Sequence, residues 1–295
     1  MATEHHEPSS FLRLPDGRRL GYGIYGAADG MPVLAFHGTP GAHLKYAVAS
    51  AEAGQQGLKL IAVDRWGYGD TDVHAAPTLA AFAADMEAAA DALGIERFGV
   101  IGISGGGPYA AAVAAAMRHR VRAAALVSPV GPITGMASPP RLNAIHHISF
   151  RVLPRIPGAI GFVFKLFRQV VLHAPLASVR LAAGRGMSAD REIVADHAFA
   201  TGLGRTFAAG LAASSRGPVI DMQLFSRPWN VELRQVACPV RIWIGEQDRN
   251  VPIAAVEALT AAIPGAELTR LGPHGHYWIA RNYPQVLAWI VANAN

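Results

Sequence analysis

Phe98-Gly99-Val100-Ile101-Gly102-Ile103-Ser104-Gly105-Gly106-Gly107-Pro108-Tyr109 is the stretch whose reading decides the fold. The first four residues form a short apolar run, as in a buried strand. Small residues continue through Met117 and read as a helix that packs closely on a sheet. Between the two lies Gly102-Ile103-Ser104-Gly105-Gly106, a Gly-x-Ser-x-Gly pattern in a strand, sharp turn, helix setting. Such a turn strains the serine backbone, so its neighbours must be small. Ser104 then stands at a helix N-terminus, where free N–H groups favour developing negative charge. Two other glycine-rich loops fit less well. The Lys-Ser/Thr ending of a phosphate-binding loop is absent, and Ser104 occupies the place of the second glycine in a dinucleotide-binding turn.

Outward from this turn, strands alternate with helices. A hairpin is expected at the start: Phe11-Leu12-Arg13-Leu14, the turn Pro15-Asp16-Gly17, then 19–25. Apolar runs at 33–36, 60–63 and 123–127 read as further buried strands. A helix is expected over 79–93, interrupted by Asp85, Glu87 and Asp91 and stopped by Gly94. From 133 to 235 the rhythm breaks. Pro139-Pro140, Pro154, Pro157 and Pro175 punctuate apolar helical pieces, expected at 160–172 and 193–203. Alternation resumes with a strand at 240–244, a helix at 254–263, a strand at 267–271 and a closing helix at 284–292. One α/β core, 1–132 with 236–295, interrupted by a helical insertion at 133–235, accounts for this better than three domains.

Composition narrows the class. A chain of 295 residues with 51% hydrophobic and 16% charged residues can bury a sizeable core. Its net charge of +5 is scattered rather than blocked, so nucleic-acid binding is not expected. Cys238 is the only cysteine, which excludes an intramolecular disulfide and makes a cysteine metal site implausible. Residues 1–10 are polar, with no apolar core of a signal peptide. The least interrupted bulky apolar stretch, 156–164, is far shorter than the roughly 20 residues of a spanning helix. A cytoplasmic protein without stable membrane insertion is expected.

The ends of other strands supply partners for Ser104. His37-Gly38-Thr39-Pro40-Gly41 follows the strand at 33–36. Such a loop can offer a backbone N–H to an oxyanion, here from Thr39, with the N–H of Gly105 as the second donor. His37 is expected to buttress this loop rather than titrate. Gly245-Glu246-Gln247-Asp248 follows the strand at 240–244, with Asp248 the preferred acid and Glu246 the alternative. Pro273-His274-Gly275-His276-Tyr277 follows the strand at 267–271, and its two histidines compete for one role.

Together these segments resemble the α/β-hydrolase superfamily, more narrowly its cap-bearing α/β-hydrolase-1 type. The resemblance rests on Phe36 through Gly41, on Asp64-Arg65-Trp66-Gly67-Tyr68-Gly69-Asp70-Thr71, on Gly102 through Tyr109, on Gly245 through Asp248 with Val251-Pro252, and on Gly275-His276. It covers both outer zones, about two thirds of the chain. It implies a mostly parallel eight-stranded sheet flanked by helices, with 133–235 as a helical cap. It favours His276 over His274, because the family histidine follows glycine, and the order Ser104, Asp248, His276 is the one this fold uses. Trp66 departs from the proline more usual there.

The implied function is a serine hydrolase acting on a small to medium apolar carboxylester, with no cofactor and no metal. A carbon–carbon bond hydrolase for a β-diketone or ring-cleavage product is the alternative with the same triad. A non-catalytic ligand-binding relative is the third reading. Ile145, Ile148, Phe150, Phe162, Phe164, Phe167, Phe199, Phe207 and Phe225 make 133–235 strongly apolar. Most are expected to pack the cap itself and the rest to line a pocket, with His146, His147 and Arg227 as polar residues that nothing singles out. The partner is a small apolar molecule, and self-association as a homodimer stays open.

Overall fold

Period-two alternation along the central strands builds two apolar faces on one sheet. In β3 (Met31–Phe36), Leu34 and Phe36 join one core cluster while Val33 and Ala35 join the other. β6 (Val121–Val127) divides in the same way: Ala124 and Leu126 face one side, Ala123, Ala125 and Val127 the other. The computed structural model describes residues 10–135, 141–183 and 188–294. Pro139-Pro140 and all but the last of the ten N-terminal residues read above lie outside that set.

The remaining strands are β1 (Ser10–Arg13), β2 (Arg19–Gly26), β4 (Leu58–Val63), β5 (Phe98–Ile103), β7 (Val240–Ile244) and β8 (Glu267–Arg270). The sheet has eight strands in the order β1-β2-β4-β3-β5-β6-β7-β8. β2 pairs antiparallel with β1 and β4, and every later pairing is parallel. This is the α/β-hydrolase fold that the family resemblance implies.

The helices are α1 (Ser50–Gln55), α2 (Leu79–Ala92), α3 (Gly107–Ala116), α4 (Ala144–His147), α5 (Ala159–His173), α6 (Pro175–Ala183), α7 (Ser188–Ala195), α8 (His197–Leu211), α9 (Arg216–Phe225), α10 (Ile253–Ala262) and α11 (Tyr283–Asn293). Residues of α2, α3 and α10 cover one face of the sheet, and those of α1 and α11 the other. α4 through α9 all fall between β6 and β7, where the described residues form no strand. α5 through α8 share a third core cluster, with Val171, Val179, Phe207 and Leu211, which also takes in Tyr68 and Tyr277 from the loops below, whereas Ile220, Leu224 and Phe225 of α9 join the first.

Helix boundaries follow local chemistry. Thr78 caps α2 by accepting Ala81 N–H at 3.0 Å, and Gly94 stops it at φ +66°. The helix expected over 193–203 is in fact two. α7 ends at Ala195, and Asp196 caps α8 by accepting Phe199 N–H at 3.1 Å. Both helices bury residues in the same cluster, so the apolar pattern runs through a break that only Asp196 marks. The 3-10 turn His43–Ala49 and the short α1 were not anticipated, since that stretch has no sustained periodicity.

Among the described residues no single helix is long and apolar enough to cross a membrane, and the apolar pair Ala144–Arg155 and Ala159–His173 is bent by 113°.

Candidate active site

Ser104 closes β5 in the left-handed region, at φ +54°, a conformation that a non-glycine residue adopts only when its surroundings hold it. The surroundings are tight. A Cβ on Gly102 would lie 2.6 Å from Gly106 O, and one on Gly106 would collide with Phe36 O. Val130 N–H donates to Ser104 O at 3.0 Å and fixes the turn against the end of β6. Ser104 is thereby presented, half-buried, to a cavity of about 760 Å³.

Three loops at strand ends converge on it. His276 Nε2 lies 3.1 Å from Ser104 Oγ, and His276 Nδ1 lies 2.7 Å from Asp248 Oδ2. The other oxygen of Asp248 accepts Asn250 N–H at 2.8 Å and Val251 N–H at 3.1 Å, which locks the carboxylate. Burial works against protonation of His276, but the Asp248 charge and hydrogen bond, helped by Asp190, outweigh it and hold the imidazole above its ordinary value. His274 and Glu246 are exposed and join no part of this array.

Gly38, Thr39 and Gly105 line the cavity beside Ser104. Thr39 Oγ1 packs against the Cα of Gly105, where a Cβ would collide with it. The two expected donors are therefore adjacent. His37 lies beneath them, fully buried, with Nδ1 2.8 Å from Gly38 O and Nε2 accepting Arg65 N–H at 3.1 Å. Burial, and then the Arg65 charge, hold it well below the ordinary histidine value, so it is a neutral buttress.

Two acids that the sequence reading passed over complete the site. Asp221, on α9, is buried and ion-paired with Arg65. It also accepts Thr39 Oγ1 at 2.5 Å, Tyr68 OH at 2.6 Å and Tyr109 OH at 2.6 Å. Arg65 in turn donates to His37 O and Gly38 O, each at 3.1 Å. One buried network thus ties α9 to the Thr39 loop. Asp190, on α7, accepts the backbone N–H of His276 at 3.0 Å and of Tyr277 at 2.9 Å. Gly275 is required there, because a Cβ would collide with the Asp190 carboxylate. A single acid in a largely apolar helix was the available signal for Asp221, whereas Asp190 stands beside Arg191 and Glu192 and had none, and the partners of both lie far away in sequence.

Trp66 now has a place. It is buried, and its Nε1 donates to Asp85 Oδ2 at 2.8 Å. Asp85 also holds Arg18 through two bonds of 2.7 and 2.6 Å. Asp85 is therefore a buried anchor between the loop after β4 and α2.

The cavity wall is mostly apolar and comes largely from the helices between β6 and β7. Phe150, Phe164, Phe167, Phe207 and Phe225 line it, so more of the insertion's aromatic residues face the cavity than expected. Ile145, Ile148 and Phe162 are exposed, and Phe199 stacks edge-on to Tyr277 at 5.8 Å. His146 lines the cavity with Nε2 3.0 Å from Arg249 O, whereas Arg227 is exposed and does not line it. Among the described residues no group of three or more His, Cys, Asp or Glu could hold a metal ion.

This arrangement defines a class: a serine, histidine and carboxylate hydrogen-bonded in series at the ends of parallel strands. A family model described as the alpha/beta hydrolase fold matches residues 31–147. An alpha/beta hydrolase fold protein from Nakamurella multipartita superposes with a TM-score of 0.70 at 25% identity, over 97% of this chain and 99% of that one. An esterase from Exiguobacterium antarcticum gives a TM-score of 0.70 at 16% identity, over 97% and 100% of the two chains. A non-heme chloroperoxidase from Streptomyces lividans is 36% identical over 120 residues, 40% of this chain and 44% of that protein, so the match spans less than half of that relative. The chain has the α/β-hydrolase fold, and residues 31–147 match that family's model.

Proposed function

We propose that the protein is a serine hydrolase that cleaves a small to medium, largely apolar carboxylester through an acyl-enzyme. The observation that carries this reading is the unbroken chain from Ser104 Oγ through His276 to Asp248, at 3.1 and 2.7 Å, on the wall of a mostly apolar cavity. His276 takes the proton of Ser104 as its oxygen attacks the ester carbonyl. Asp248 holds the imidazole tautomer and stabilises the imidazolium. The N–H groups of Thr39 and Gly105 receive the oxyanion. His276 then gives its proton to the leaving alcohol, and water, deprotonated by the same histidine, releases the acid and restores Ser104.

The helices of 133–235 act as a cap in this reading, shaping the apolar acyl pocket. The test is turnover of short p-nitrophenyl esters by the purified chain. Ser104→Ala is expected to lower kcat by several orders of magnitude, as loss of a triad nucleophile does. Undiminished turnover by that variant overturns the proposal.

A further inference from the structure

The charged side chains that line the cavity are Lys45, Arg180 and Arg249, all basic. Arg180 and Arg249 are exposed, at the rim, whereas Lys45 is half-buried. Lys45 lies in the 3-10 turn that follows the Thr39 loop, and its backbone O accepts Tyr283 OH at 3.2 Å. Its Nζ stands over the ring of Phe199, 5.5 Å from the centroid. Among the described residues no carboxylate is paired with any of the three.

A partly desolvated ammonium without a counter-ion is costly. The face of Phe199 offsets part of that cost, but it offers no hydrogen-bond acceptor. Burial accordingly lowers the Lys45 ammonium to about 8, which still leaves it mostly protonated at neutral pH. Its charge also reaches His276, where it opposes protonation. Lys45, Ser104 and His276 line the same cavity, so one bound molecule can meet all three. A purely apolar ester leaves this ammonium unsatisfied and desolvated further. An anionic substituent satisfies it.

We propose that Lys45 is the seat for an anionic group, a carboxylate, carried by the ester substrate, with Arg180 and Arg249 drawing that anion in at the rim. This rests on the hydrolase reading above and narrows its substrate class to apolar esters bearing a second, ionised acid. The carboxylate can belong to the acid or the alcohol portion of the ester, and the two are separated by the choice of probes.

The experiment uses matched pairs. One is the p-nitrophenyl half-ester of adipic acid and its methyl-capped neutral diester. The other carries the carboxylate, free or methyl-capped, on the alcohol portion. Calorimetric titration of the full chain carrying Ser104→Ala reads the seat without turnover. In at least one pair the anionic member is expected to bind about tenfold tighter or more, which corresponds to 1.4 kcal/mol. Adding Lys45→Met or Lys45→Gln abolishes that margin, and adding Lys45→Arg retains most of it. A merely structural lysine would not produce a preference that follows ligand charge. Equal affinity for both members of each pair, or a margin that survives Lys45→Met and Lys45→Gln, overturns the seat. Ester turnover by the unmodified chain is measured alongside. Turnover without charge preference overturns the seat alone, whereas charge preference without turnover supports the seat and overturns the hydrolase reading.

Discussion

Asp190 holds the backbone of His276: its carboxylate accepts the His276 N–H at 3.0 Å, and that of Tyr277 at 2.9 Å. An acid on α7 thus sets the height of the histidine that meets Ser104. Asp190→Ala removes both acceptors and lets the loop relax. Misplacement by about 1 Å can cost about 10²-fold, so we expect kcat to fall by about that factor with KM little changed. Steady-state kinetics on one ester checks this. The pH profile separates positioning from general destabilisation, since loss of the Asp190 charge moves the His276 ionisation to lower pH.

The pH dependence has a definite sign. His276 must be neutral to accept the Ser104 proton, and its surroundings hold it above the ordinary histidine value of about 6.5. Activity is therefore absent at low pH and rises as pH climbs through that raised value. Asp248→Asn withdraws the main stabilising charge, shifts the rise toward acid and lowers kcat by about 10³–10⁴-fold. A kcat/KM profile from pH 5 to 9 for both proteins reads the two effects together.

Arg65 and Asp221 are a buried ion pair, exposed by 0 and 1%. Asp221→Ala strands the guanidinium and releases Thr39, Tyr68 and Tyr109. The expected loss is about 3–5 kcal/mol of unfolding free energy by urea titration. The double variant Arg65→Met with Asp221→Leu is expected to recover much of that stability. It is not expected to recover activity, because the Thr39 loop then has no acceptor to hold it.

Trp66→Phe keeps the ring packing and deletes the bond to Asp85. With Arg18 still paired to Asp85, we expect a loss of about 1–2 kcal/mol and little change in kcat. Thermal unfolding and ester turnover on the same samples separate stability from catalysis.

Much of this candidate site is legible in the sequence because its residues sit where strands end. The turn at Ser104 needs glycine at 102 and 106 for steric reasons that any sequence must obey, the Thr39 and Asp248 loops follow largely apolar runs of strand length, and the His276 loop follows the mixed strand Glu267–Arg270. The choice between His274 and His276 was not local: it needed the family's Gly-His pairing, and the fold brings His276 to Ser104 while His274 stays exposed. The roles of Asp190, Asp221 and Lys45 were hidden for a different reason. Each depends on contacts between the helices of 133–235 and the sheet loops, with separations such as 182 residues between Thr39 and Asp221. Periodicity shows which face of a helix is apolar, but not what stands opposite. It likewise merged α7 with α8, because both bury residues in one cluster on either side of Asp196.

The central claim is that Ser104 is a nucleophile activated by His276. Its most direct measurement is intact-mass analysis after exposure to a fluorophosphonate, followed by peptide mapping. The account predicts one phosphonate per chain, located on Ser104, strongly slowed by His276→Ala and absent from Ser104→Ala. Labelling of Ser104→Ala at the rate of the unmodified chain, or an adduct mapped to another residue, contradicts it.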